Sequence, residues 1–313
     1  MGATEKLVVF GAGSPLGASV VRCLADAGEK VRAVVKNPDA AAGYLPASVE
    51  IAKGNPLDPD DVARACAGTD TIYHCVVFRS QKWRSTAHVI MGNLLGYAIQ
   101  NRTGFVFADM VYDSQPYVNN FGDDVLSAHR EGYIRGAVAR LPELYGPGAR
   151  STLYDEIFDA ILSDKKAYWV ARLDAPRDLL FLEDAARAIS SIGRSPKAYG
   201  RSWEISSGTP TTGQQFIELA FKLAGKPPRY GTWRKSFLKV AGILDYDSKE
   251  LGEVPYDYSR EMILNGADFS LYFPRFEYTP FQQGLAATFD WYKGFLKPRS
   301  LRERLLPVTS LPP

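Results

Sequence analysis

A chain of 313 residues, 46% hydrophobic and 23% charged, is long and apolar enough to bury a large core, as one big α/β domain or two modest ones. A net charge of +2 excludes a dedicated polyanion binder, because no strong field steers the protein to nucleic acid. Cys23, Cys66 and Cys75 are scattered and odd in number, so neither a disulfide framework nor a CxxC metal pair exists and a reducing cytoplasm is the expectation.

The chain opens on an apolar run, residues 7–10, that breaks into Gly11-Ala12-Gly13-Ser14-Pro15-Leu16-Gly17 and then a helical pattern over 18–27. This reads as strand, tight turn and helix N-terminus. Residues 30–35 read as a second strand and 49–53 as a third. Asp58-Pro59-Asp60-Asp61 opens a helix with an Asp cap, Pro at the first helical position and acids in the first turn. Strands follow at 70–77, 104–107 and 134–141, with a long, mostly helical segment at 83–100. Alternation of this kind predicts a doubly wound parallel sheet with helices on both faces, a Rossmann-type α/β fold. The rhythm changes after Gly148: helices are expected at 154–162, 185–192, 216–224 and 285–295, and short strands at 177–182 and 202–205. Thr212 and Gln215 have capping-box spacing, and Thr279-Pro280-Phe281-Gln282 repeats that logic. The expected organisation is a dinucleotide-binding core over 1–150, joined by 178–206, a smaller substrate lobe over 151–296 and a tail over 297–313. No apolar run reaches the ~18 residues of a membrane span, and the first strand starts within about six residues, leaving no room for a leader before it.

The glycine turn is the strongest chemical signal. A turn after a strand and before a helix lets backbone N–H groups approach a pyrophosphate, whose charge the helix dipole favours. The spacing is not G-x-G-x-x-G; Gly11, Ser14 and Gly17 instead fit a turn with Ser in the middle slot. The second strand ends in Lys36, where an Asp or Glu would bond the ribose of NAD and repel a 2′-phosphate. The reversed sign predicts NADP rather than NAD. The loop Gly54-Asn55-Pro56-Leu57-Asp58 belongs beside the adenine in this topology, with the Asn55 amide within reach of the base edge and Asp58 as a helix cap. Cys75 reads as a small buried hydrophobe. His74, His88 and His129 lack metal spacing, as do Asp159, Asp164 and Asp174, so no metal site is expected.

These stretches, with Phe105-Val106-Phe107-Ala108-Asp109-Met110-Val111-Tyr112 and Arg140-Leu141-Pro142-Glu143-Leu144-Tyr145-Gly146-Pro147-Gly148, make the chain resemble an extended or atypical short-chain dehydrogenase/reductase of the NAD-dependent epimerase/dehydratase superfamily. The R-x-P-x-x-Y-G-P-G stretch is the most specific, and the resemblance covers roughly residues 5–295. It implies that the glycine turn holds the pyrophosphate, that Val76 and Val77 line the cofactor ribose, and that the backbone of Pro142, Leu144 and Tyr145 lies against the nicotinamide. It also implies a substrate pocket shaped by the aromatic-rich C-terminal lobe.

One departure matters. Such proteins usually carry Ser or Thr at the end of the fifth strand and Tyr-x-x-x-Lys on the next helix, where the Lys lowers the Tyr pKa. Here that strand ends Ala108-Asp109-Met110, Tyr117 is followed by Phe121, and no Lys occurs between Trp83 and Lys165. Only about twenty residues separate Tyr112 from Ile134, room for a parallel crossover but not for a long catalytic helix. Asp109 and Tyr112 stand where the missing acid/base would be. The reading is an NADP-dependent oxidoreductase for a small, apolar or aromatic carbonyl compound, with a second copy of the chain as possible partner. The alternative is a dinucleotide-binding, non-redox protein, a redox sensor or isomerase. A sugar-nucleotide epimerase is disfavoured by the missing Tyr–Lys pair.

Overall fold

The first strand, β1 (Lys6–Phe10), is wholly apolar after its first residue and sits at the centre of the sheet. The computed structural model describes residues 5–76, 84–111, 120–149, 151–233 and 258–295. In chain order β1 is followed by α1 (Pro15–Asp26), β2 (Lys30–Val35), α2 (Pro38–Ala41), β3 (Glu50–Lys53), α3 (Pro59–Cys66), β4 (Thr71–His74), α4 (Arg84–Asn101), β5 (Gly104–Met110), α5 (Phe121–Arg130) and β6 (Arg135–Leu141). Then come β7 (Glu143–Tyr145), α6 (Thr152–Leu162), β8 (Ala167–Val170), β9 (Pro176–Arg177), β10 (Leu179–Phe181), α7 (Leu182–Gly193) and β11 (Ser202–Glu204). The chain continues with β12 (Thr211–Thr212), α8 (Gly213–Leu223), β13 (Tyr230–Trp233), α9 (Ala267–Tyr272) and α10 (Phe281–Phe295).

Seven strands form one parallel sheet in the order β11-β6-β5-β4-β1-β2-β3. The order reverses between β1 and β4, so a crevice opens at their carboxyl ends, where open α/β sheets bind ligands. Two cores cover the faces. Leu7 and Val9 of β1 pack with α1 and α7, whereas Val8 and Phe10 pack with α3, α4 and α5, as strand alternation requires. A third core lies in the C-terminal part, among Phe158, Trp169, Phe216, Phe289 and Tyr292. Residues 267–278 return to the first core, where Trp203 meets the rings of Phe269, Tyr272 and Phe273.

Local signals explain most boundaries. Asp58 accepts the amides of Asp60 and Asp61 at the start of α3, with Pro59 in the first helical position. The Thr212–Gln215 capping box is made in both directions. Gly132, at φ +77°, follows the end of α5 in the left-handed region that glycine tolerates. β5 runs through Phe107 and ends at Met110, with Ala108, Asp109 and Met110 in register with Ala139, Arg140 and Leu141. One expectation is corrected. The Thr279 hydroxyl does not repeat the capping-box role: it donates to Asp184 Oδ1 at 2.8 Å, and the Thr279 amide donates to Asp184 Oδ2 at 2.7 Å. This ties α7 to the entrance of α10.

Among the described residues no helix is long and apolar enough to cross a membrane.

Candidate dinucleotide site

The turn after β1 is closed by hydrogen bonds and by close backbone contact. Ser14 N donates to Gly11 O at 2.8 Å, and Ser14 Oγ caps α1 by accepting Gly17 N at 3.1 Å. Gly11 has φ +89°, and a Cβ there would collide with the Cys75 carbonyl and the Val76 amide. A Cβ on Gly17 would drive into the Gly11 carbonyl. These two glycines are therefore consumed by packing. The first presses the turn onto the end of β4; the second lets α1 approach the strand.

What remains open is informative. Pro15 has no N–H, Gly17 N serves Ser14 Oγ, and Ala18 N serves Ser14 O at 2.8 Å. That leaves the amides of Gly13 and Leu16 without a partner among the described residues. Two open amides beside a helix N-terminus make a donor set that fits a bridging diphosphate.

Val76 adjoins this turn, and the other predicted positions lie on other elements. Gly148, the last residue of R-x-P-x-x-Y-G-P-G, lies against Pro15: a Cβ there would touch the Pro15 ring at 3.4 Å. Val76 follows β4 and is half-buried, its amide donating to His74 Nδ1 at 3.3 Å. Lys36 is exposed at the end of β2. Asn55 shapes its own loop, its amide N donating to Asp61 Oδ2 at 2.9 Å and its Oδ1 accepting from Leu57 N at 3.3 Å. Pro56 O accepts from Asn93 Nδ2 at 3.0 Å, which anchors the loop to α4. Beyond Pro142, β7 splits its side chains: Leu144 packs toward the sheet core, while Tyr145 enters the C-terminal core against Phe181 and Phe281. Val77 and Tyr112 lie outside the described residues.

Asp109 is held on the α5 side of the sheet. Phe105 and Phe107 pack on that face, Val106 and Ala108 on the other, so Asp109 shares the face of the two Phe residues. Its Oδ2 lies 3.7 Å from Arg140 Nε, and Arg140 Nη1 in turn donates to Glu204 Oε1 at 3.2 Å. The three residues occupy one register row across β5, β6 and β11. Burial pushes the Asp109 carboxyl up from its ordinary range; Arg140 pulls it back, and Asp123 of α5 adds to the rise. Cys75 is fully buried and its thiol is pushed up to about 12 by burial, so it is unsuited to act as a nucleophile.

Two features escaped the sequence reading. One is a buried cluster under β7: Glu143 Oε1 accepts from Tyr258 Oη at 2.6 Å, its Oε2 lies 3.6 Å from Arg177 Nε, and the Arg177 guanidinium sits 4.4 Å from the Tyr258 ring centroid. No local pattern announces a pairing across 115 positions. The other is Tyr44, whose hydroxyl stands 3.9 Å from where a Cβ on Gly13 would be.

Comparison with known proteins agrees with this geometry. Residues 11–104 match a family described as NAD(P)H-binding, and residues 111–206 match the NAD dependent epimerase/dehydratase family. The chain is thus similar to these two families over two separate stretches. The NAD(P)H-binding match spans the glycine turn, β2 and the Asn55 loop, and the epimerase/dehydratase match spans β6, β7 and α7. The fold is also that of solved structures of low identity. The enzyme WbmH of Bordetella bronchiseptica, in complex with NAD+, is 18% identical with a TM-score of 0.69, over 94% of this chain and 100% of the other. The dTDP-glucose 4,6-dehydratase of Bacillus anthracis, in complex with NAD, is 16% identical with a TM-score of 0.74, over 93% and 97%. The UDP-glucose 4-epimerase of Thermotoga maritima, with UDP-glucose, is 16% identical with a TM-score of 0.70, over 93% and 100%. No curated protein matches the sequence.

Proposed function

We propose that this protein binds NADP(H) and is an oxidoreductase acting on a small, apolar or aromatic carbonyl compound. The observation that carries the reading is the glycine turn, with Gly11 and Gly17 spent on close packing and the Gly13 and Leu16 amides left open. The bound cofactor would supply the hydride. The chain would supply the grip, the orientation and the proton. Lys36 places a cation at the end of β2, where an acid would repel a 2′-phosphate. Asp109, whose carboxyl burial pushes up from its ordinary range, is the proposed proton donor, and Tyr112 is its proposed companion. The aromatic residues of the C-terminal part favour an apolar substrate. The expected partners are that substrate and a second copy of the chain, with no nucleic acid or membrane.

Titrating the protein with NADPH and NADH, followed by intrinsic fluorescence, tests the cofactor reading. Lys36→Asp should weaken NADPH at least about tenfold and NADH by less than about threefold. Equal losses would remove the preference for NADP. Asp109→Asn and Tyr112→Phe should each lower turnover at least about tenfold. If neither changes the rate, the proton comes from elsewhere.

One observation favours a second reading: the sequence lacks the helical Tyr-x-x-x-Lys pair. On that reading the protein keeps the dinucleotide site without dehydrogenase chemistry. Tight NADPH binding with no substrate-dependent loss of its absorbance, over a panel of aldehydes and ketones, would support this alternative.

A further inference from the structure

We infer that the Tyr44 hydroxyl is a hydrogen-bond donor to the adenosine 2′-phosphate of the cofactor, a specificity-determining contact that acts beside Lys36. The inference rests on the dinucleotide reading of the glycine turn. Its argument is one of position. Tyr44 reaches the turn from the chain that follows β2 and α2, so it stands on the β2 side of β1. That is the side on which the adenosine half of a dinucleotide lies, because the residue that reads the ribose 2′ position comes from the end of β2. The Tyr44 ring packs partly buried against the sheet core, which fixes where its hydroxyl points. The hydroxyl then stands 3.9 Å from the Cβ position of Gly13, the residue whose amide is open. Among the described residues the hydroxyl has no partner.

The chemistry suits a phosphate. Burial raises the Tyr44 pKa, and no neighbouring charge contributes to the shift, so the phenol stays protonated at neutral pH and has an O–H to donate to an anion. Gly13 keeps the approach to the hydroxyl free of a side chain: a Cβ there would stand 3.9 Å from it. Lys36 lies on the same side, at the end of β2, and β3 beside it ends in Lys53, which is also exposed. No acid occupies the end of β2. A neutral donor held by packing, next to exposed cations, distinguishes a phosphate from a hydroxyl at the ribose 2′ position.

The test is calorimetric titration of the full chain, wild type and Tyr44→Phe, with NADPH, NADH, 2′,5′-ADP and 5′-ADP. The substitution removes one oxygen that bonds to no described residue, so the melting temperature should hold within about 2 °C. Loss of the contact should weaken NADPH and 2′,5′-ADP about five- to tenfold and leave NADH and 5′-ADP within about twofold. Equal weakening of NADPH and NADH, or no weakening of either, overturns the inference while leaving the dinucleotide site in place. Failure of the wild type to bind any of the four overturns the site itself, and this contact with it.

Discussion

Gly13 and Gly17 lie four residues apart in one turn, yet they answer to different constraints. A methyl group on Gly17 would occupy the space of the Gly11 carbonyl, which is backbone and cannot swing aside. One on Gly13 would meet only the Tyr44 hydroxyl, at ordinary van der Waals distance, and Gly13 does not need a left-handed backbone. Gly17→Ala should therefore cost at least about 3 kcal/mol of folding stability, measured by urea unfolding. Gly13→Ala should cost less than about 1 kcal/mol while weakening dinucleotide binding. The opposite ranking would mean that the turn's glycines serve the fold alone. The sequence could not separate the two. It shows a glycine at both places, and the difference lies in the Gly11 carbonyl that the turn folds against one and the Tyr44 hydroxyl that the chain after α2 brings near the other.

At the level of elements, residues 30–35, the Asp58 cap and the Thr212–Gln215 box were legible because their causes are local: an apolar run, a short polar side chain, a reciprocal pair three residues apart. The length of β5 was legible only in part, because its apolar run closes at Phe107 while Ala108-Asp109-Met110 is held as strand by pairing with β6. The candidate site was legible to the same extent. Its glycine turn and Lys36 are local signals, whereas the Gly148–Pro15 contact and the Tyr44 hydroxyl are products of topology. Asp178 is a further product of topology. It is fully buried between β9 and β10; its Oδ1 accepts Ser207 Oγ at 2.6 Å and Ser207 N at 2.9 Å, and its Oδ2 accepts Leu264 N at 3.3 Å. One carboxylate thereby holds the chain after β11 and the approach to α9 onto the same short strands. Asp178→Ala should lose about 2–4 kcal/mol, since three donors are stranded at once. Asp178→Asn, which keeps an acceptor oxygen, should lose about half of that. A urea series with both variants at the wild-type midpoint would show that these elements dock without it.

Across the whole molecule, the sheet closes over an ionisable group that the proposed chemistry does not use. His74 ends β4 with no exposure, its ring against Phe105 and Phe107. Burial lowers its pKa from 6.5 to about 3, the backbone offsetting part of the fall. In the unfolded chain the imidazole titrates at its ordinary value, so between about pH 6.5 and 3 the unfolded state binds a proton that the folded state refuses. The stability this neutral ring contributes is complete above about pH 6.5 and is lost as pH falls toward 3, at no more than about 1.4 kcal/mol per pH unit. Asp109 and Glu183 carry the opposite sign. Burial raises both, so what they contribute is complete at low pH and declines as pH rises through their folded values. The two trends overlap in the acid range and partly cancel in the total, which is why the histidine must be isolated by difference. His74→Leu keeps an apolar side chain between the two rings and removes the titration. Urea unfolding of wild type and variant from pH 7 to pH 4 should show the wild type losing stability relative to the variant steadily as the solution is acidified. Parallel curves would mean that the sheet unfolds in acid without charging this ring.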